Sequence, residues 1–313
     1  MSAPPVEGVW ADVIGQPAVV AELRAAVADP AAMTHAWLFT GPPGSGRSVA
    51  ARAFAAALQC PAGGDGTCHA CRTVLAGTHA DVQTVIPEGL SIGVAEVREL
   101  ARIAGRAPSQ GRWQVVLVED ADRMTEQAAN TVLKMLEEPP TRTVFLLCAP
   151  SLHPDDVPVT IRSRCRVVGL RTPPVDAVAD VLVRRDGIDP ALAAWSAAAA
   201  GGHVGRARRL ARDEAARLAR KAVLDVPLSL VSLAACLNAA DDLVGAAKEE
   251  SDRATAALDG AETEAVKVSL GMGARGHRLR PMTVRSARRS DPSPGRPSAP
   301  AAVAAALPAG RPG

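Results

Sequence analysis

Gly41-Pro42-Pro43-Gly44-Ser45-Gly46-Arg47-Ser48 is the stretch that decides how this 313-residue chain is read. Its glycines and Ser48 fit the frame G-x-x-x-x-G-K-[ST], with Arg47 standing where lysine is usual. In such a loop the glycines let backbone N–H groups curl around phosphates and the hydroxyl holds Mg²⁺, while the lysine reaches the outer phosphate oxygens. Arginine keeps the charge but carries it as a planar fork on a longer stem. The expectation is therefore ATP binding through Gly41, Gly44, Ser45, Gly46, Arg47 and Ser48, with poor hydrolysis. The flanks agree: Ala36–Thr40 is a short apolar strand and Val49–Leu58 an Ala-rich helix.

Outward from the loop, strand and helix patterns alternate. Helices are expected over 18–28, 94–104 and 125–136, and strands over 81–86, 115–118 and 143–147. That order argues an α/β fold, a parallel sheet covered by helices on both faces. Thr172-Pro173-Pro174 is a break, so residues 1–172 form the nucleotide-binding domain. Beyond it come short helices at 175–184, 190–199 and 203–220, a small helical lid over 173–222. A helical stretch at 225–265 follows, and no strand is expected after 172.

Composition bounds the function. Four Trp, three Phe and no Tyr leave little for aromatic base-stacking platforms. The net charge of +2 hides an asymmetry: residues 267–313 hold nine Lys/Arg and one acid, leaving 26 basic and 32 acidic residues before them. The body is mildly acidic and carries no DNA-binding face by its totals. Residues 267–313, with seven prolines, read as a disordered tail. So abrupt a flip near Val266 fits a basic tail or out-of-frame translation of a GC-rich gene equally. No 18-residue apolar stretch or leader is seen, so no membrane association and a cytoplasmic location are expected. Three of six cysteines fall within residues 60–71, which suggests a metal site before a disulfide framework.

A second motif, Val115-Val116-Leu117-Val118-Glu119-Asp120, is an apolar strand ending in two acids. Beside a phosphate loop such carboxylates position Mg²⁺ and orient water, usually as Asp then Glu. Here the order is exchanged. Glu119 can hold a metal through water, whereas Asp120 falls about a methylene short of a general base's reach.

Leu133-Lys134-Met135-Leu136-Glu137-Glu138-Pro139-Pro140 and Ser163-Arg164-Cys165 make the pattern specific. With Val13-Ile14-Gly15-Gln16 and Gly77-Thr78-His79-Ala80-Asp81 they resemble the AAA+ clamp-loader family of bacterial DNA replication, and within it the delta-prime, or stator, branch. The resemblance covers residues 9 to about 215. It implies that Val13 and Ile14 line an adenine pocket and that Arg206 falls near a second sensor in the lid. It also implies that Arg164 is an arginine finger acting on a neighbour's γ-phosphate. The first sensor is not evident after residue 147, Ser151 being the nearest hydroxyl. The parts serving the chain's own site are degraded and the part serving a neighbour is intact, which suits a stator. A motor subunit of gamma/tau type, or another AAA+ ATPase, is the alternative. Implied partners are gamma/tau motor subunits, the delta subunit, the sliding clamp indirectly, and primed DNA through the complex. Polymerase chemistry would lie in other subunits. Residues 223–266 would form a partial all-α collar, which implies poor entry into a pentamer.

The same resemblance implies a zinc insertion spaced C-x₈-C-x₂-C-x₂-C, which puts Cys60, Asp65, Cys68 and Cys71 on the ligand positions. Three thiolates and a carboxylate can make a tetrahedral Zn²⁺ site, with His69 as the alternative fourth ligand.

Overall fold

In the computed structural model, residues 7–29, 31–87 and 89–269 are described, and the tail from 270 onward lies outside them. A 3-10 turn, Gly8–Asp12, leads into helix α1, Pro17–Ala28. Strand β1, Ala36–Thr40, runs into the phosphate loop and helix α2, Arg47–Gln59. The short helix α3, His69–Leu75, precedes β2, Val82–Val85, and α4, Val94–Ala104. Then come β3, Gln114–Val118, α5, Glu126–Glu137, and β4, Thr143–Ala149. A single turn, α6, Val159–Arg162, leads to β5, Arg166–Gly169.

The five strands form one parallel sheet in the order β2-β3-β4-β1-β5. Strands β1, β3 and β4 are buried along their whole length because helices cover both faces. Alternate residues serve alternate layers. Trp37, Phe39, Val115 and Leu117 pack towards α1 and α2, and Ala36, Leu38, Val116 and Val118 towards α4 and α5. The first layer is filled out by Trp37 edge-on to Phe54, ring centroids 4.9 Å apart. Since β1 lies between β4 and β5, the loop after it opens at the carboxyl end of the sheet, where open α/β sheets bind ligands.

After Pro173-Pro174 come α7, Val175–Asp186, α8, Pro190–Ala199, and α9, Val204–Arg212. These three share a small core of Val178, Leu182, Ala193, Ala197, Ala207 and Leu210. The expected single helix over 203–220 is two. Asp213 is extended and accepts a hydrogen bond from the N–H of Ala215, capping a new helix, α10, Glu214–Ser229. The helix expected over 225–265 is likewise interrupted: α10 runs through Pro227, and α11, Leu233–Ser269, starts afresh. Among the described residues no strand follows β5, and no helix is long and apolar enough to cross a membrane.

Candidate functional site

A cleft of about 530 Å³ lies over the phosphate loop. Val9, Asp12, Val13 and Ile14 wall one side, residues 44–48 form the floor, and His203, Val204, Gly205 and Arg208 of the lid close over it. Val13 and Ile14 are thus where an adenine wall is expected. Gly44 and Gly46 adopt left-handed backbone, φ 87° and 90°, which glycine tolerates freely. A Cβ on Gly46 would meet nothing within 4 Å, so that side of the loop is open. A Cβ on Gly44 would come within 2.8 Å of the His203 ring, so the lid rests directly on the loop there. Ser45 is buried, and its Oγ has no hydrogen-bond partner. The floor and the apolar wall fit a nucleoside phosphate.

The charged groups fit its hydrolysis poorly. Arg47 Nη1 donates to the carbonyl of Gly41, so the guanidinium turns back onto its own loop. Glu119 is held by Arg52, whose Nε donates to Oε1 at 3.0 Å. Arg52 follows Ser48 by one helical turn of α2, which puts both on the same face. That spacing was the signal available in sequence for a competitor at the metal position. Asp120 is left-handed, φ 52°, and its carboxylate lies 3.9 Å from Arg123. Behind it Asp122 keeps a buried Oδ1 without a partner, and burial raises its pKa, with the nearby Asp120 and Asp156 adding to the rise.

Arg206 does not line the cleft, although its neighbours Gly205 and Arg208 do. Its backbone N–H donates to His203 Nδ1 at 3.4 Å. Arg208 is anchored to Asp186 at 2.8 Å and lies 3.9 Å from Asp12. His203, Arg208 and Asp12 were not anticipated. Ser151 does not reach the cleft and donates to Asp156 at 2.5 Å. Cys148, buried beneath Glu119, has its thiol pKa driven far up by burial.

Arg164 is away from this cleft. It follows α6 on a half-exposed surface, donates from Nη1 to the Thr160 carbonyl at 2.9 Å, and pairs through Nη2 with Glu137 at 2.7 Å. Glu137 belongs to the Leu133–Pro140 run, so that motif carries the acid that orients Arg164.

Cys60, Asp65, Cys68 and Cys71 converge, their ligand atoms all within 4.8 Å of one another. The Cys60 and Cys68 sulfurs are 3.7 Å apart. That is the edge of a tetrahedron built on metal–sulfur bonds of about 2.3 Å. Cys68 caps α3 by accepting from the N–H of Cys71 at 3.4 Å. Asp65 Oδ1 accepts from the N–H groups of Cys68 and Thr67 at 3.0 and 2.9 Å, which holds its pKa down to about 2. The Cys68 and Cys71 side chains also bond to this carboxylate, which places it among the sulfurs. Burial opposes ionisation of Cys60, but the N–H groups of Asp65, Gly64 and Ala62 outweigh it and favour the thiolate. His69 is exposed at the start of α3 and stands outside the group. The donor set fits Zn²⁺.

The family model described as "DNA polymerase III, delta subunit" matches residues 15–174. The DNA polymerase III subunit gamma/tau of Mycobacterium tuberculosis is 34% identical over 180 residues, 56% of this chain and 31% of that protein. The delta' subunit of Pseudomonas aeruginosa is 42% identical over 137 residues, 42% of this chain and 41% of that protein. This chain therefore spans less than half the length of these curated relatives. Among solved structures, the RuvB Holliday junction branch migration motor of Thermotoga maritima aligns over 76% of this chain and 72% of its own, at 16% identity and a TM-score of 0.45.

Proposed function

Because the chain belongs to the DNA polymerase III delta-subunit family, in its delta-prime clamp-loader group, we propose that it serves as the stator of a bacterial clamp loader. In this reading it helps load the sliding clamp during replication. Arg164 is offered to the nucleotide of an adjoining gamma/tau motor subunit, and the delta subunit is the other neighbour. Primed DNA is met through the assembled complex. The observation that carries the reading is the contrast between two arginines. Arg47 is folded back onto Gly41, while Arg164 is presented at the surface by Glu137, outside the chain's own cleft.

The cleft would hold ATP by its base against Val13 and Ile14 and by its phosphates against the N–H groups of residues 44–48. Bound Mg²⁺ would supply charge neutralisation between the phosphates, but Glu119 is already committed to Arg52. Turnover in this chain is therefore slow or absent. Zn²⁺ in the Cys60/Asp65/Cys68/Cys71 cluster plays a structural part.

The test is reconstitution of the loader with Arg164→Ala. Clamp-loading ATPase of the complex falls about 10³-fold, the usual contribution of a trans arginine, and nucleotide affinity of this chain is unchanged. Full activity of the variant complex would sink the proposal. The gamma/tau-like motor reading is favoured by 34% identity to the M. tuberculosis gamma/tau subunit and to the Bacillus subtilis tau subunit. An ATPase rate on the order of 1 s⁻¹ from the isolated chain would establish it.

A further inference from the structure

The metal cluster and the nucleotide cleft share walls. Gly64, four residues after Cys60 and next to Asp65 in the cluster loop, accepts the N–H of Val9 on its carbonyl at 3.1 Å. Next to it, Gly63 accepts from Trp10 Nε1 at 3.3 Å. The two strands of backbone fit without side chains between them. A Cβ on Gly8 would lie 2.1 Å from the Gly64 carbonyl, and one on Gly64 would lie 2.7 Å from Val9 Cγ2. Val9 lines the cleft, and Val13, whose N–H donates to the Trp10 carbonyl at 3.0 Å, lines it too. A second path runs along α3. Cys71 is buried in the cluster, and Leu75, one turn later on the same face, is a cleft residue.

We propose that metal bound by Cys60, Asp65, Cys68 and Cys71 fixes the base-side wall of the nucleotide cleft, acting through Gly63–Gly64 on Val9–Ile14 and through α3 on Leu75. Val9, Gly64 and Leu75 are then positioning residues. The coupling rests on the metal reading given above and goes beyond it. The physical reason is the loop's own weakness. Residues 60–66 include three left-handed glycines, Gly63, Gly64 and Gly66, which lose much conformational entropy on ordering. A metal that ties both ends of the loop together offsets that loss, and the wall inherits the order.

The experiment compares the full chain loaded with one equivalent of Zn²⁺ with the same chain stripped by a chelator under reducing conditions. Amide exchange is read at residues 8–14 and 69–76, with β1 and β4 as internal references. Stripping accelerates exchange at the two wall segments about tenfold or more, while the strands keep their protection, as expected for a local opening. Emission from Trp10, isolated by subtracting the spectrum of Trp10→Phe, shifts to the red on stripping. Gly64→Ala loosens residues 8–14 in the same way while still binding one zinc.

Zinc bound one-to-one with unchanged exchange at 8–14 after stripping overturns the coupling and leaves the metal site standing. Acceleration shared equally by the wall and the sheet also overturns it. A chain that takes up no zinc overturns both.

Discussion

Asp81 shows how one carboxylate can hold a loop that no secondary structure reaches. Its Oδ1 accepts from the N–H and Oγ of Ser109 at 2.7 and 2.8 Å, and its Oδ2 from the N–H groups of Gln110 and Gly111 at 2.7 and 2.6 Å. Burial alone would raise its pKa, but these donors outweigh burial and lower it. Next to it His79, buried and accepting the Asp81 N–H on Nδ1, has its pKa lowered, chiefly by burial. The two signs separate in pH. A histidine depressed in the folded state gives stability that is complete above its unfolded pKa near 6.5 and falls as the pH drops below that value. A depressed aspartate gives stability that is complete above its unfolded pKa of about 3.9 and is lost as the pH falls through the folded value. Asp81→Asn should therefore cost about 2–3 kcal/mol at pH 7, since an amide NH₂ replaces an acceptor facing N–H groups. Urea midpoints measured from pH 7 to 3 should show the variant keeping the loss that starts near pH 6.5 and lacking the one below about pH 4. A variant whose curve stays parallel to the wild type throughout would refute this account.

Among the elements, Asp186 at the end of α7 does for the lid what Asp81 does for the sheet. Its side chain is only 8% exposed and receives Arg208 Nε and Arg212 Nη2, both at 2.8 Å. Asp186→Ala leaves two guanidinium groups without their acceptor and should cost about 1–3 kcal/mol. Because the lid has its own core, exchange should speed up in α7–α9 while β3 and β4 stay protected; uniform change across the chain would count against a separate lid.

Several elements were legible from the chain alone because local pattern and tertiary demand agree. The apolar run of β1, the amphipathic period of α4 and the Pro-initiated α8 fall where expected. Strand β5 was not legible. It has four residues, only Val168 is buried, and its charged Arg166 gives no alternation. It is a strand because β1 offers an edge, with the guanidinium of Arg166 over the Trp37 ring at 4.9 Å. Helix α3 was hidden for a similar reason, since a Cys cap and a buried cysteine hold it rather than a long apolar face. In the cleft, the loop and the two acids were visible in sequence, but what the acids touch was not. Glu119 and Arg52 are 67 positions apart and meet only because β3 ends at the edge of the sheet where α2 begins.

Among the residues whose burial is described, burial stops sharply after α9. No residue of α10 is buried, and Leu218, Leu228, Val231, Leu233 and Val244 are all more than half exposed. Where exposed apolar side chains are contiguous they mark interaction surfaces. The isolated chain should accordingly show amide exchange over residues 214–256 faster than over β1, β3 and β4 by several orders of magnitude. On the stator reading proposed above, and if the partial collar still assembles, mixing with gamma/tau and delta subunits slows it. Protection in the free chain equal to that of the sheet would show that these helices need no partner.

The folded-back guanidinium at position 47 has an evolutionary corollary. Restoring lysine there would leave Glu119 still clasped by Arg52 and the His203 ring still seated on Gly44. On the stator reading, removing any one of the three contacts alone would be silent, because the other two remain. Inactivity of the kind proposed would work as a ratchet: single steps could carry descendants further from turnover, yet only several simultaneous ones would bring them to it.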